Sequence, residues 1–252
     1  MIREGFWLTD DQFARLSPLL PSDTRGKPRV DDRRVISGIV HVLKSGGRWV
    51  DAPPQHGPRK TLYNRFVRRA AKGVWVEIFH ALAAAGGPPA QVLIDSSAVK
   101  AHRCASGGKG GERRQAIGRS RGGGTTKIHA LTDALCRPLA FMLTGGNVAD
   151  CAAAALLLQQ MPAASILHAD KGCDSNAIRR QVEERGAMPN ISPKANRKWK
   201  NCFPPFLYRN RNAIERMFGR LKDFSRIATR YDRLSVNYLA AVCLTATVSY
   251  WL

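Results

Sequence analysis

The stretch Gly86-Gly87-Pro88-Pro89-Ala90-Gln91 separates two patterns of apolar residues that demand different backbones. Before it, Val35, Ile36, Ile39, Val40 and Leu43 recur at helical spacing. After it come short apolar runs ending in turn formers or charges, interleaved with helical stretches. A helical unit followed by consecutive strands, and then by alternating strands and helices, constrains the chain to an α/β core behind an all-helical region. Gly and Pro together make the junction a natural boundary. The expected division is therefore 1–87 and 91–252.

Within the first region, Thr9 and Gln12 form a capping-box pattern ahead of Phe13, Leu16 and Leu19. Gly46-Gly47 ends the helix that carries Val35 to Leu43. Pro58 opens another helix through Leu62, Phe66 and Val67. The remaining faces of that helix carry Arg59, Lys60, Arg65, Arg68, Arg69 and Lys72. Short helices, a glycine-bearing turn and a basic last helix match the outline of a helix-turn-helix, and Arg59, Lys60, Arg65 and Arg68 are its candidate DNA contacts. The plainer use of such a face is solvation of an ordinary helical bundle.

Charge favours the DNA reading. The chain holds 40 Lys and Arg against 19 Asp and Glu, a formal net charge of +21, which repels itself unless the partner is a polyanion. An anionic membrane surface is the weaker alternative, because the most apolar stretch, 238–252, is shorter than the ~20 residues of a span. Hydrophobic residues make up 44% of the chain, enough for a true core. Residues 1–8 carry Arg3, Glu4 and Gly5 where a signal peptide needs apolar residues. The cysteines at 104, 136, 151, 173, 202 and 243 include no CxxC pair. The expectation is a reduced, cytoplasmic protein without structural zinc and without a membrane segment.

In the second region five strand-like runs stand out: 92–95, 127–133, 138–145, 165–170 and 188–192. Helices are expected over 149–161, 175–185, 206–223 and 235–250. The glycine-rich segment 106–124 reads as a long loop. It lacks the spacing of a phosphate-binding P-loop. Its basic residues, Arg119 and Arg121 among them, are candidate DNA contacts or simply a solvated loop.

Two of the strands end in a carboxylate, Asp95 and Asp170, with His168 on the same face as Asp170. In open α/β sheets functional groups collect at strand ends. A lone acid there is usually a cap or turn former. A third acid, Glu215, lies in YRNRNAIERMFGRLK, where Tyr208, Arg211, Glu215 and Lys222 share one helical face. Three convergent carboxylates in a basic protein suit hard cations such as Mg²⁺, with flanking Arg and Lys for substrate phosphates. Ser96, Ser97 and Tyr208 are the hydroxyls a covalent recombinase would use, but that chemistry leaves the acids without a role.

The motif Tyr-x2-Arg-x3-Glu-x6-Lys resembles the signature of bacterial insertion-sequence transposases of the DDE type. The fuller resemblance is to the IS5 family, through LIDSSAVKAHR, IGRSRGGGTTKIHALTD, LTGGNVAD, HADKGCDS, YRNRNAIERMFGRLK and RIATRYDRL in family order. The helical half, DDRRVISGIVHVLKSGGRWVDAP and GPRKTLYNRF, is similar to the family's DNA-binding region. The resemblance implies a ribonuclease-H-like catalytic core, a mixed five-stranded sheet with flanking helices, behind a small helix-turn-helix-like domain. It implies that Asp95, Asp170 and Glu215 ligate two Mg²⁺ ions, for which Mn²⁺ can substitute. It implies DNA contacts by Tyr208, Arg211 and Lys222. Its partners are the element's terminal inverted repeats and target DNA, bound by a homo-oligomer. Nucleoid association is implied by the resemblance alone. Cys173 stands where the family more often has an aromatic residue. A DNA-binding regulator derived from such an enzyme, and a nuclease that does not join strands, are the alternatives.

Overall fold

The computed structural model describes residues 5–21, 31–198 and 203–252. Residues 1–4 and Cys202, used above, lie outside them. Helix α1, Asp10–Leu16, begins with the expected reciprocal cap: Gln12 N donates to Thr9 Oγ1, and Thr9 N to Gln12 Oε1, both at 3.1 Å. Helix α2, Asp32–Ser45, stops at Gly46, whose φ of +76° favours a residue without Cβ. Helices α3, Arg59–Ala71, and α4, Val74–Ala85, follow. The helix-turn-helix outline needs correction. Gly46 ends α2, Pro53, Pro54 and Pro58 keep the following chain from continuing as one helix, and two short 3₁₀ turns fill the connection to α3. The close turn, Lys72-Gly73, joins α3 to α4. That second helix buries Val74, Trp75, Ile78, Phe79, Leu82 and Ala83, so it is a core helix and not a DNA-reading one.

The sheet holds β1 Gln91–Ala101, β2 Gly118–Ser120, β3 Gly123–Asp133, β4 Pro138–Gly145, β5 Ile166–Ala169, β6 Met188–Ile191 and β7 Thr229–Arg230. The helices of this half are α5 Gly111–Arg114, α6 Asp150–Leu157, α7 Asn176–Glu183, α8 Pro205–Tyr208, α9 Asn212–Lys222, α10 Ser225–Ala228 and α11 Ser235–Ala246. The five main strands lie in the order β4-β3-β1-β5-β6. The β4–β3 and β3–β1 pairs are antiparallel, and β1–β5 and β5–β6 are parallel. This is the expected ribonuclease-H-like sheet. Two short strands enlarge it: β2 pairs with the start of β3, and β7 pairs with the end of β1.

Two sequence expectations change here. Segment 106–124 is not all loop, because its end pairs as the β2–β3 hairpin. Asp95 does not end its strand. The eleven residues of β3 give β1 an antiparallel partner as far as Lys100, so β1 runs on to Ala101. What stops near Asp95 is the parallel pairing, whose last pair is Ile94↔Ala169. It resumes with β7 at Lys100. Between these pairings the β1 edge over 95–99 faces a notch.

Side chains alternate across β1 and sort the molecule into two layers. Leu93 and Val99 face one core shared by Ile36, Phe66 and Phe79 of the helical half and by Met217, Tyr238 and Val242 of α9 and α11. Val92 and Ile94 face the other, with Leu157 of α6 and Ile178 and Val182 of α7. Among the described residues the helical half therefore has no core of its own. By the same alternation Asp95 and Ser97 point to the α9 side, and Ser96 to the α6 side.

Candidate active site

The notch gathers groups from three elements. Asp95 projects from β1 with its carboxylate mostly buried. Its Oδ1 accepts from the backbone N–H of Ser96 at 2.8 Å, and its Oδ2 from Arg211 Nη1 at 2.7 Å. Asp170 follows the last residue of β5 and caps a 3₁₀ turn, Oδ1 accepting from Gly172 N at 2.8 Å. Burial pushes the Asp95 carboxyl above its ordinary pKa, and the charge of Asp170 adds to the rise; Ser96 N–H and Arg211 oppose it without prevailing. The two aspartates thus feel each other across the gap between β1 and β5.

Residues 205–222 form continuous helical turns, tightening to 3₁₀ over 209–211. The predicted common face is present and looks into the notch. Arg211 Nη2 donates to Glu215 Oε1 at 2.5 Å while Nη1 holds Asp95, so one guanidinium bridges two of the three acids. The same guanidinium carbon sits 5.5 Å over the Tyr208 ring. Burial raises the Tyr208 pKa; Arg211 opposes the rise, and Asp170, Asp95 and Glu215 reinforce it. Lys222 Nζ donates to Ser97 Oγ at 2.7 Å and to the β1 carbonyl of Ala98 at 3.3 Å. It satisfies an edge carbonyl that the notch leaves without a strand partner, and burial lowers its pKa.

Asp95 and Asp170 are brought together, and Glu215 joins them through Arg211. Among the described residues no three acids, cysteines or histidines close on one point as they stand. Arg211 occupies one oxygen each of Asp95 and Glu215, so it competes with a cation for those oxygens. The donors are all carboxylate oxygens, the set that suits a hard divalent cation.

His168 is not part of this site. Its imidazole is fully buried between Gln91 Oε1, at 3.1 Å, and Asn190 Nδ2, at 3.0 Å. Cys173 is buried in the α6–α7 core, where burial pushes its thiol far up. The remaining predicted contacts lie on other elements. Arg59, Lys60 and Arg68 are exposed on α3, and Arg119 and Arg121 at the β2–β3 hairpin. Arg65 is half-buried and paired with Asp32, which also binds Arg69 at 3.0 Å.

On the α6 side lies a group that the sequence reading missed. Asp150, in the first turn of α6, accepts from Ser96 Oγ at 2.8 Å and from Lys127 Nζ at 3.1 Å. Burial pushes its carboxyl up, but the Ser96 and Lys127 hydrogen bonds outweigh that and hold it below the usual range. His129 lies 4.0 Å away; burial lowers its pKa to about 4, so it is neutral at pH 7. In sequence Asp150 reads only as an acid favouring its own helix start.

Residues 8–79 match the family described as "Putative transposase of IS4/5 family", and residues 86–250, well over half the chain, match "Transposase DDE domain". The chain is 31% identical over 129 residues to the "Putative transposase for insertion sequence element IS6501" of Brucella ovis, covering 51% of this chain and 98% of that one. It is 34% identical over 104 residues to the uncharacterized protein y4sN of Sinorhizobium fredii, covering 40% and 82%. A piggyBac transposase in a synaptic complex with hairpin DNA aligns over 94% of this chain and 69% of its own, at 10% identity and a TM-score of 0.49. At that distance neither residues nor DNA geometry transfer. The chain belongs to the DDE transposase family, and it is an insertion-sequence DNA transposase, an enzyme that cleaves and transfers DNA strands.

Proposed function

We propose that Asp95, Asp170 and Glu215 are the catalytic acids of this transposase and the ligands of its divalent metal, two Mg²⁺ ions with Mn²⁺ as a substitute. The observation that carries this reading is the notch itself. Asp95 on β1 and Asp170 just past the end of β5 lie within each other's field there, opposite a helix carrying Arg211 and Glu215. Metal ions bound by these acids would activate an attacking hydroxyl and stabilise a leaving oxygen.

The chain's own groups do the rest. Arg211 moves from Asp95 and Glu215 to a DNA phosphate, exchanging one pair of charged hydrogen bonds for another. Lys222 lies at the edge of β1 and neutralises a second phosphate. Tyr208 offers a half-buried ring for a splayed base. Water attacks a phosphodiester at the element's end and frees a 3′-hydroxyl, which attacks target DNA in a second displacement. Ser96 and Ser97 hydrogen-bond Asp150 and Lys222; a covalent serine–DNA step would leave Asp95, Asp170 and Glu215 without a role.

Residues 1–87 serve end recognition, through Arg59, Lys60 and Arg68, and 91–252 serve catalysis, with Arg119 and Arg121 on the DNA backbone. Arg65 braces α3 against Asp32. The enzyme works on double-stranded DNA as a homo-oligomer in the bacterial nucleoid. Among the described residues no helix is long and apolar enough to cross a membrane.

The test incubates the protein with Mg²⁺ and DNA carrying the element's ends, then maps nicks and joined products. Asp95→Asn, Asp170→Asn and Glu215→Gln each abolish cleavage and leave DNA binding largely intact. An Asp170→Asn protein that cleaves like wild type removes Asp170 from the site. Cleavage without joined product makes the enzyme a nuclease.

A further inference from the structure

We propose that Asp150 is a positioning residue that sets the separation of Asp95 and Asp170. The inference rests on the reading of those two as metal ligands. Asp95 and Asp170 each follow the last parallel pair of β1 and β5, Ile94↔Ala169, so no ladder hydrogen bond fixes the distance between them. The start of α6 spans that gap from the opposite face of the sheet. Asp150 Oδ1 accepts from Ser96 Oγ at 2.8 Å, and Ser96 N in turn donates to Asp95 Oδ1 at 2.8 Å. The next residue reaches the other side: Cys151 Sγ donates to the carbonyl of Gly172 at 2.7 Å, and Gly172 N donates to Asp170 Oδ1 at 2.8 Å. Two adjacent residues on one helix turn therefore hold both acid-bearing segments, each through one intermediate.

The clamp is itself anchored. Lys127 Nζ donates to Asp150 Oδ1 at 3.1 Å and to the carbonyl of Val148 at 2.9 Å, tying the approach to α6 onto β3. Gly146 N donates to Thr125 O at 3.0 Å, and a Cβ on Gly146 would lie 1.8 Å from Thr125 Oγ1, so that turn tolerates no side chain. Gly172 is tight on one side: a Cβ there would lie 2.9 Å from Asp170 Oδ1, with Asp150 Oδ2 at an ordinary contact distance of 3.5 Å, so both carboxylates flank the same backbone. A helix-start acid needs none of this. Asp150 spends its carboxylate on β1 and β3 instead of on its own helix.

The decisive measurement is Mn²⁺ binding to the full-length protein, followed by the EPR signal of free Mn²⁺, alongside thermal melting. Asp150→Ala is expected to weaken binding about 10–100-fold, the scale seen when a partner that orients a metal ligand is removed. Asp150→Asn keeps an acceptor oxygen for Ser96 and Lys127 and is expected to restore most of the affinity. Ser96→Ala removes only the link to Asp95, and a loss of about 2–10-fold is expected. It carries the test if the Asp150 variants fail to fold. Wild-type affinity in folded Asp150→Ala or in Ser96→Ala overturns the proposal. So does an Asp150→Asn protein as weak as Asp150→Ala, because Asp150 then acts by its charge on the ion and not by placing its neighbours. Asp170→Asn is the control for the underlying reading. If Asp170→Asn binds Mn²⁺ like wild type, the metal assignment itself fails; if Asp170→Asn loses binding while the Asp150 variants keep it, only the positioning role fails.

Discussion

Two aspartates, Asp95 within β1 and Asp174 in the connection after β5, each meet arginine, and they end in opposite states. Asp174 is a closed account of hydrogen bonds. Its Oδ1 accepts from Arg179 Nε and Nη2 at 3.0 and 2.9 Å, and its Oδ2 from Lys194 N and Arg197 Nε at 2.8 and 2.9 Å. Burial alone would raise its pKa, but those donors win and hold it below the usual carboxylate range. Asp95 has one backbone N–H and one shared arginine, and its pKa is raised. The difference separates a structural carboxylate from a poised one. Where donors saturate the charge, no cation is needed; where burial outruns the donors, the site has capacity for one.

The sharpest break of this comparison is mutational. Asp174→Ala leaves Arg179, whose side chain is 4% exposed, as an unpaired buried charge and is expected to cost about 3–5 kcal/mol in urea unfolding. Asp95→Asn removes a charge that its surroundings disfavour, so stability holds or rises while cleavage is abolished. Comparable stability losses at the two positions would erase the distinction.

A pH titration of stability sharpens it by sign. The Asp174 pKa is depressed in the fold, so its contribution is present above the unfolded carboxylate pKa of about 3.9 and is lost as pH falls through the folded value. The Asp95 pKa is raised, so the fold binds its proton more tightly. Its contribution is greatest below about pH 3.9 and declines as pH rises through the folded value. Relative to wild type, Asp174→Asn should lose an acid-side decline and Asp95→Asn an acid-side gain. Differences of the same sign would refute the assignment.

These contrasts also mark what could be read from residues alone. Asp95 and Asp170 were legible because each closes an apolar run, and Glu215 because its face repeats at helical spacing with cations. The five strands were legible from the same runs. The length of β1 was not, because a strand continues where a partner exists, and its β3 partners lie 25 to 41 residues downstream in the register Lys100↔Thr125 to Val92↔Asp133. Asp150 was invisible for a similar reason: Ser96 and Lys127 become its neighbours only when β1, β3 and α6 assemble. The helical half looked independent because periodicity reports that a face is apolar, not what covers it. Here α9 and α11, from the far end of the chain, share its core.

Arg211 tests the poised state more gently. Its guanidinium bridges Asp95 and Glu215, so Arg211→Ala should tighten Mn²⁺ binding in the absence of DNA by about tenfold, the scale of one charged hydrogen bond. The same variant should weaken the end complex. Weaker metal binding without DNA would mean that Arg211 orients the acids and does not compete for them.

Lys222 gives the smallest effect on the fold and the most specific one on DNA. Its ammonium spends two of its donors on Ser97 Oγ and the Ala98 carbonyl, at an edge where burial already disfavours its charge. Those contacts are neutral hydrogen bonds, so Lys222→Ala should change stability by about 1 kcal/mol or less. A phosphate arriving at the notch offers the same ammonium a charged partner, and the preference for that partner is what makes Lys222 a DNA contact and not a strand cap. Loss of one phosphate contact should lower the salt slope of end binding by about 0.9 and leave Mn²⁺ affinity unchanged. An unchanged slope with a lowered melting temperature would assign Lys222 to the β1 edge alone, and the notch would then meet DNA through Arg211 and Tyr208 only.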